Sequence, residues 1–73
     1  MTRLPVVSGR DLVRALRRIG FELDRQKGSH MILFRAEAPT TVTVPDHREL
    51  DRGTLRAILR QAGITPDELA KLL

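Results

Sequence analysis

Apolar residues recur at helical spacing near the start of the chain and at strand spacing further on. In residues 12–19 they stand three or four positions apart, which predicts a helix with one buried face. Ser8, followed by an acid three residues later, predicts the start of this helix, and Gly20 predicts its end. The arginines of this segment fall on the opposite side, so the helix is expected to present a basic surface.

Three short segments after this helix have the spacing of strands. Residues 21–26 alternate apolar and polar positions, residues 30–35 contain an unbroken apolar run, and residues 41–44 are β-branched throughout. Residues 27–29 predict a turn, and the short connections favour an antiparallel meander. An unbroken apolar run is typical of a strand covered on both faces. We therefore expect another subunit or a partner to cover part of the sheet face that the helices leave open.

Two more helices complete the predicted fold. Apolar residues of 55–62 recur at helical spacing before Gly63, and residues 65–68 have the form of a capping box that opens a short terminal helix. The order helix, three strands, helix and short helix predicts an α+β fold, a three-stranded antiparallel sheet with helices on one face. The length and the absence of repeats or linkers predict one domain over residues 1–73.

The composition excludes several kinds of protein. Cysteine is absent, so disulfides and thiolate metal sites are excluded, and two histidines without further ligands make only a weak case for a metal. No motif for a cofactor is recognised, and we expect none. We find neither an export signal nor an apolar run of membrane-spanning length, and therefore expect a soluble protein with no membrane partner. The lack of cysteine is compatible with the cytoplasm.

The charge is concentrated in the first half of the chain. Residues 1–35 contain eight basic and three acidic residues, whereas residues 36–73 contain five basic and six acidic residues. A basic front half favours RNA, DNA or an acidic protein as partner. A solvated arginine-rich surface explains the same charge equally well.

The strongest candidate for chemistry is the histidine that follows the predicted turn. His30 begins the second strand, whose backbone would hold the ring in place, and histidine exchanges protons near neutral pH. Lys27 is close enough in sequence to contact a phosphate, Gly28 lets a ligand approach the backbone, and Ser29 offers a hydroxyl. On the residues alone, an ordinary hairpin turn that enters a strand explains this stretch better.

Three further side chains are candidates for binding an anion. Arg25 and Arg35 lie closer in sequence to this turn than the arginines of the helices do. His47 lies in a polar loop after the third strand, where it could donate to phosphate or act as a second acid or base. On the residues alone, an exposed loop histidine explains His47 better.

Three segments carry motifs that occur together in one known family. They are the helix from Ser8-Gly9 to Ile19-Gly20-Phe21, the stretch Gln26-Lys27-Gly28-Ser29-His30, and Val44-Pro45-Asp46-His47 followed by Leu50 and by Gly53 to Ile64. In this order they resemble the HicA (YcfA-like) family of bacterial and archaeal toxins. The resemblance spans nearly the whole chain, although residues 40–43 and the last eight residues match only by type.

The resemblance implies both a fold and a function. It implies a fold like that of the double-stranded-RNA-binding domain, and a toxin of a type II toxin–antitoxin system that cleaves mRNA. It also implies a HicB-like antitoxin encoded beside the toxin, with a homodimer or a toxin–antitoxin hetero-oligomer as the expected assembly. The essential histidine of the family falls on His30, with Gly28 and Ser29 in the same motif. His47 matches a family histidine to which we assign no catalytic role.

The expected chemistry follows from the substrate. RNA carries its own nucleophile, the 2′-hydroxyl, so a histidine beside it can act as general base or can protonate the leaving 5′-oxygen. Neighbouring cations can stabilise the charge that develops on phosphorus. This route requires no metal, and the residues leave open whether His30 is base, acid or both. The side chains and backbone expected to contact RNA are those of Arg25, Lys27, Gly28, Ser29, Arg35 and His47.

Two alternatives to the nuclease are consistent with the same sequence. One is a non-catalytic RNA-binding module, whose affinity would come from arginine–phosphate contacts and would fall with salt. The other is a protein-interaction module that uses the basic helices and the open sheet face against an acidic partner. Replacement of His30 distinguishes the first alternative from a nuclease, because a pure binder would lose little.

Overall fold

Helices and strands follow one another in the predicted order in the computed structural model, which describes residues 3–73. The elements are α1 (Gly9–Arg17), β1 (Glu22–Lys27), β2 (His30–Arg35), β3 (Thr40–Pro45), α2 (Arg52–Ala62) and α3 (Pro66–Leu72). The strands form one antiparallel sheet in the order β1-β2-β3. The predicted α+β fold is confirmed, including the arrangement of helix, three strands and helix that the family resemblance implies.

Each helix begins at a polar side chain that satisfies free backbone N–H groups of its first turn. The Ser8 hydroxyl accepts from the Asp11 N–H at 3.0 Å, and the Asp11 carboxylate accepts from the Ser8 N–H at 3.2 Å. The Asp51 carboxylate accepts from an N–H of the first turn of α2 at 2.9 Å. Thr65 and Glu68 form a second reciprocal capping box at α3. Local sequence therefore determines where the helices start.

The first two helices end near the glycines that the sequence predicts as their ends, although α1 ends earlier than expected. Gly63 follows α2 with a φ of 79°, the left-handed conformation that glycine adopts readily. α1 ends at Arg17, earlier than its apolar spacing suggests, and Ile19 lies in the following turn. Ile19 nevertheless packs against the core, which explains why it fits the helical pattern.

The core lies between one face of the sheet and the helices. Met31 and Leu33 of β2, together with Val42 and Val44 of β3, form the buried side of the sheet. Side chains of α1 and α2 pack over them, and α3 packs against α1. The largest fully buried side chains are Phe21, Leu12, Leu16, Leu33, Leu55, Leu69, Val42 and Val44. The predicted apolar stripes of the helices are therefore core.

β1 is more exposed than its alternating sequence predicts. All six of its residues are exposed, including Leu23 at 46%. Phe21, the other apolar residue of the pattern, lies just before the strand and is buried in the core. A shift of register between Leu23 and Arg25 interrupts the pairing with β2. As an edge strand with this irregularity, β1 contributes little to the core.

No helix within residues 3–73 lies on one of the two faces of the sheet, and we call it the open face. His30, Ile32 and Phe34 alternate along β2 with the buried residues, so their side chains lie on the open face. Ile32 is partly buried and Phe34 is 42% exposed. Residues 3–73 of one chain therefore do not cover both faces of β2, and coverage by a second subunit or a partner stays a prediction.

Candidate active site

The turn between β1 and β2 brings Lys27 and His30 together at one end of the sheet. Gly28 and Ser29 form a two-residue loop, and the φ of 58° at Gly28 is what a hairpin turn with glycine first requires. Lys27 and His30 are direct partners across the strands, which places their Cβ atoms about 5 Å apart on the open face. All four residues are exposed, so an anion can reach both the imidazole and the ammonium group.

Arg25 joins Lys27 and His30 on the open face. It pairs with Ile32, which lies two residues from His30 along β2 and on the same side of the sheet. Neither Arg25 nor Lys27 makes an ion pair with any residue between 3 and 73. Their positive charges are therefore available to a bound anion beside His30.

Arg35 lies away from this group, at the far end of β2. It stands five positions after His30, and this odd offset places the two side chains on opposite faces of the sheet. The Arg35 guanidinium carbon lies 4.6 Å from the centre of the Phe21 ring, and Nη2 donates to the Thr40 hydroxyl at 3.4 Å. The structure does not bring Arg35 to His30, and its contacts explain it as a residue that covers the edge of the core.

His47 lies near the turn but in a different loop. Pro45, the last residue of β3, pairs with His30, so the loop that follows begins at the same end of the sheet. The His47 carbonyl accepts from the Gly9 N–H at 2.9 Å, and the side chain is exposed. A surface depression beside it is lined by Ser8, Arg10, Asp46, His47 and Arg48.

Asp46 connects the turn to two other segments of the chain. Its N–H donates to the Ser29 carbonyl at 2.6 Å. Its carboxylate accepts two hydrogen bonds from the Arg10 guanidinium, at 3.1 and 3.3 Å. The Gln26 amide donates to the same carboxylate at 3.4 Å and to the Gly28 carbonyl at 3.1 Å. These bonds hold the backbone of the turn against α1 and the loop after β3.

The sequence alone did not single out this arrangement. Gln26 opens the Gln-Lys-Gly-Ser-His stretch and Asp46 precedes His47, but neither position signals a contact between them. Arg10 and Asp46 are 36 residues apart, and a contact at that separation leaves no periodic trace in the sequence. The supporting residues of the site are therefore visible only in the folded chain.

Comparison with known families identifies the chain. A family model described as the HicA toxin of bacterial toxin–antitoxin matches residues 9–64, which include α1, the whole sheet, α2 and both histidines. The chain belongs to the HicA toxin family. A comparison with curated proteins finds no match. Membership confirms the resemblance found in the motifs and implies, in general, an antitoxin as partner of this HicA-family toxin.

The charges on the helices of this HicA-family chain differ between α1 and α2. Three arginines of α1 form ion pairs, Arg10 with Asp46, Arg14 with Asp11 and Arg17 with Glu22. Exposed arginines of α2 have no acidic partner within residues 3–73; they are Arg52, Arg56 and Arg60. The arginines of α1 are therefore largely neutralised. The cations without an acidic partner in residues 3–73 that lie nearest to His30 in the sheet are Arg25 and Lys27 of β1.

Two further features concern metals and membranes. Among residues 3–73, no three histidine, aspartate or glutamate side chains come together in a group that could hold a metal ion. In the same range, no helix has the length and apolar character needed to cross a membrane.

The Arg10–Asp46 ion pair predicts that part of the stability of this toxin is lost in acid. The Arg10 guanidinium lowers the pKa of Asp46 below its ordinary value near 4. Because the folded-state pKa is the lower one, the contribution is present above about pH 4 and is lost as the pH falls through the folded-state value. We expect wild type to have a higher Tm than Asp46→Asn at about pH 6, and the difference to shrink as the pH falls below about 4.

Thermal unfolding followed by circular dichroism at several pH values measures this difference. Asp11 and Asp51, whose pKa values are also lowered by their capping hydrogen bonds, are present in both proteins, so their effects cancel in the comparison. A gap in Tm that stays constant from pH 6 to pH 2 would show that the charge of Asp46 contributes nothing.

Proposed function

We propose that this HicA-family toxin is an endoribonuclease, an mRNA interferase, that cleaves RNA at His30. The observation that supports this most directly is the pairing of His30 with Lys27 on an exposed hairpin end, with Arg25 on the same face. A group that exchanges protons and two unpaired cations therefore lie where a phosphodiester can reach them.

The proposed reaction is an internal transesterification. A base removes the proton of the 2′-hydroxyl, the 2′-oxygen attacks phosphorus, and the bond from phosphorus to the 5′-oxygen breaks as that oxygen takes up a proton. The products are a 2′,3′-cyclic phosphate and a free 5′-hydroxyl, and no metal is required. His30 serves as the base, the acid or both, and Lys27 and Arg25 stabilise the negative charge that develops on the phosphoryl oxygens.

Other residues of the motif contribute to binding in this proposal. A Cβ on Gly28 would meet no atom within 4 Å, so a phosphate has free access to the backbone of the turn. The Ser29 hydroxyl and the exposed His47 ring are donors close to the same end of the sheet. Arg35 has no part in the proposed site, because it lies on the opposite face and packs on Phe21.

The cellular setting of the proposal follows from the family. The toxin acts in the cytoplasm, where mRNA is translated, and a HicB-like antitoxin neutralises it. Membership in a family of toxin–antitoxin systems supports an antitoxin partner, and the exposed, preformed hairpin provides a surface that such a partner can block.

Incubation of the purified chain with a defined single-stranded RNA in excess chelator tests the proposal. We expect cleavage, with 2′,3′-cyclic phosphate and 5′-hydroxyl ends, and complete protection of an RNA that carries a 2′-deoxynucleotide at the cleaved position. Loss of cleavage on chelation would contradict the metal-independent route. Binding of the RNA without any cleavage would instead favour a non-catalytic RNA-binding module.

A further inference from the structure

An aromatic ring lies exposed on the same strand and face as His30. The chain contains two phenylalanines and neither tyrosine nor tryptophan. Phe21 is fully buried, whereas Phe34 is 42% exposed on the open face, four residues from His30. Leaving an aromatic ring in water forgoes the free energy that its burial would contribute to folding. Folding of the single chain therefore does not explain why this position is aromatic.

The neighbours of Phe34 leave its ring accessible. Ile32 precedes it on the open face, and Thr41 of β3 is its direct partner on one side. On the other side its partner is Glu22, whose carboxylate lies 3.7 Å from the Arg17 guanidinium and is thereby partly neutralised. On the β3 side the neighbours of the apolar row are short threonine side chains, so a flat group can lie against the row there.

We propose that the open face binds a single-stranded segment of RNA, with one base stacked on Phe34 and with phosphates held by Arg25 and Lys27. The inference rests on the proposed function, because it uses the same cations that serve His30. Aromatic stacking combined with a positively charged track is the usual means by which proteins bind single strands, since every base offers a π-face. In a duplex the bases are stacked inside and do not reach such a ring.

The spacing relates the stacked base to the cleaved bond. Four residues of a strand extend about 13 Å. Successive phosphates of a stacked strand are about 3.4 Å apart along its axis. The base on Phe34 therefore lies within about four nucleotides of the phosphate at His30, and fewer if the RNA is extended.

The test measures binding in a chain that cannot cleave. His30→Ala and the double variant His30→Ala/Phe34→Ala are titrated into a fluorescein-labelled single-stranded RNA, and Kd is read from anisotropy. We expect Phe34→Ala to weaken binding about 5- to 150-fold, and Phe34→Trp to retain the affinity. Phe34→Leu, which keeps apolar area without a π-face, should lose most of it. Leu23→Ala is the matched control, because Leu23 is as exposed but lies on the other face of β1, and it should bind as tightly as the parent.

Two further measurements assign the effect to stacking. Abasic nucleotides placed singly along the labelled RNA should weaken binding at one or two positions, and only when Phe34 is present. The slope of log Kd against log salt should be unchanged in Phe34→Ala and reduced by about one in Lys27→Ala. A duplex of the same sequence should bind equally with and without Phe34.

The inference would be overturned by Phe34→Ala binding within twofold of its parent, or by Phe34→Leu binding normally. It would also be overturned if the parent were a dimer in sedimentation and Phe34→Ala a monomer with unchanged RNA affinity, since a second copy would then cover the face. Because no cleavage is measured, the stacking result stands or falls separately from the nuclease activity.

Discussion

Replacement of His30 by alanine is expected to reduce RNA cleavage by about 10²- to 10⁴-fold, the range that a positioned acid or base contributes. The side chain is exposed and accepts no hydrogen bond in the core, so the variant should fold and melt as wild type does. Cleavage of a defined single-stranded RNA by the two proteins, side by side in chelator, measures the effect, and circular dichroism verifies the fold.

The same substitution at the other histidine provides the comparison. His47 lies in the loop after β3, and its side chain is exposed, whereas its structural contact with Gly9 is made by the backbone. Loss of one hydrogen bond to RNA costs about 0.5–1.5 kcal/mol, so His47→Ala should lower cleavage by no more than about tenfold. Equal losses in the two variants would contradict the central role assigned to His30.

Replacement of Gly9 by alanine is expected to destabilise the fold by about 3 kcal/mol and to lower Tm by about 10–20 °C. A Cβ at this position would lie 1.9 Å from the Pro45 carbonyl oxygen and 3.2 Å from the Met31 methyl carbon. The first of these is a backbone atom, two residues before the His47 carbonyl that accepts from the Gly9 N–H, so displacing it would disturb that hydrogen bond as well. Thermal and urea unfolding measure the loss.

A second glycine at the start of a helix serves as the control. A Cβ on Gly53 in α2 would meet only the Asp51 carboxylate oxygen, at 3.3 Å, so the capping side chain would need to shift by no more than a few tenths of an ångström. Gly53→Ala should therefore remain within about 1 kcal/mol of wild type. If Gly9→Ala were as stable as Gly53→Ala, the close approach of α1 to Pro45 would not be a requirement of the fold.

Much of the fold was predictable because its signals are local. Ser8, Thr65 and Gly63 act within a few residues of the helix ends that they define, and the bounds of β2 match the prediction. β1 differs because burial of a strand depends on what covers it. Alternation in the sequence cannot reveal that the strand lies at an edge, or that its register shifts after Leu23.

The site was predictable only as far as one hairpin extends. The sequence predicts a turn over residues 27–29 followed by a strand that begins at His30. In the structure the turn is only two residues long, so Lys27 belongs to β1 and pairs with His30. Closeness in sequence groups Arg35 with them, although an odd offset along one strand places it on the other face. The contacts of Asp46 with Arg10 and Ser29 join distant segments and follow only from the tertiary fold.

The hydrogen bonds between Asp46 and the β1–β2 turn have a consequence for the order in which the site forms during synthesis of the chain. The β1–β2 hairpin emerges from the ribosome before residue 46, and an isolated two-stranded hairpin is at best marginally stable in water. Its backbone acquires the contacts to Asp46 only once that residue has left the exit tunnel and α1 has docked beside it. If the chain is the nuclease proposed above, the hairpin of a nascent chain lacks these contacts until the third strand has been added, so its message meets the complete site only after that point.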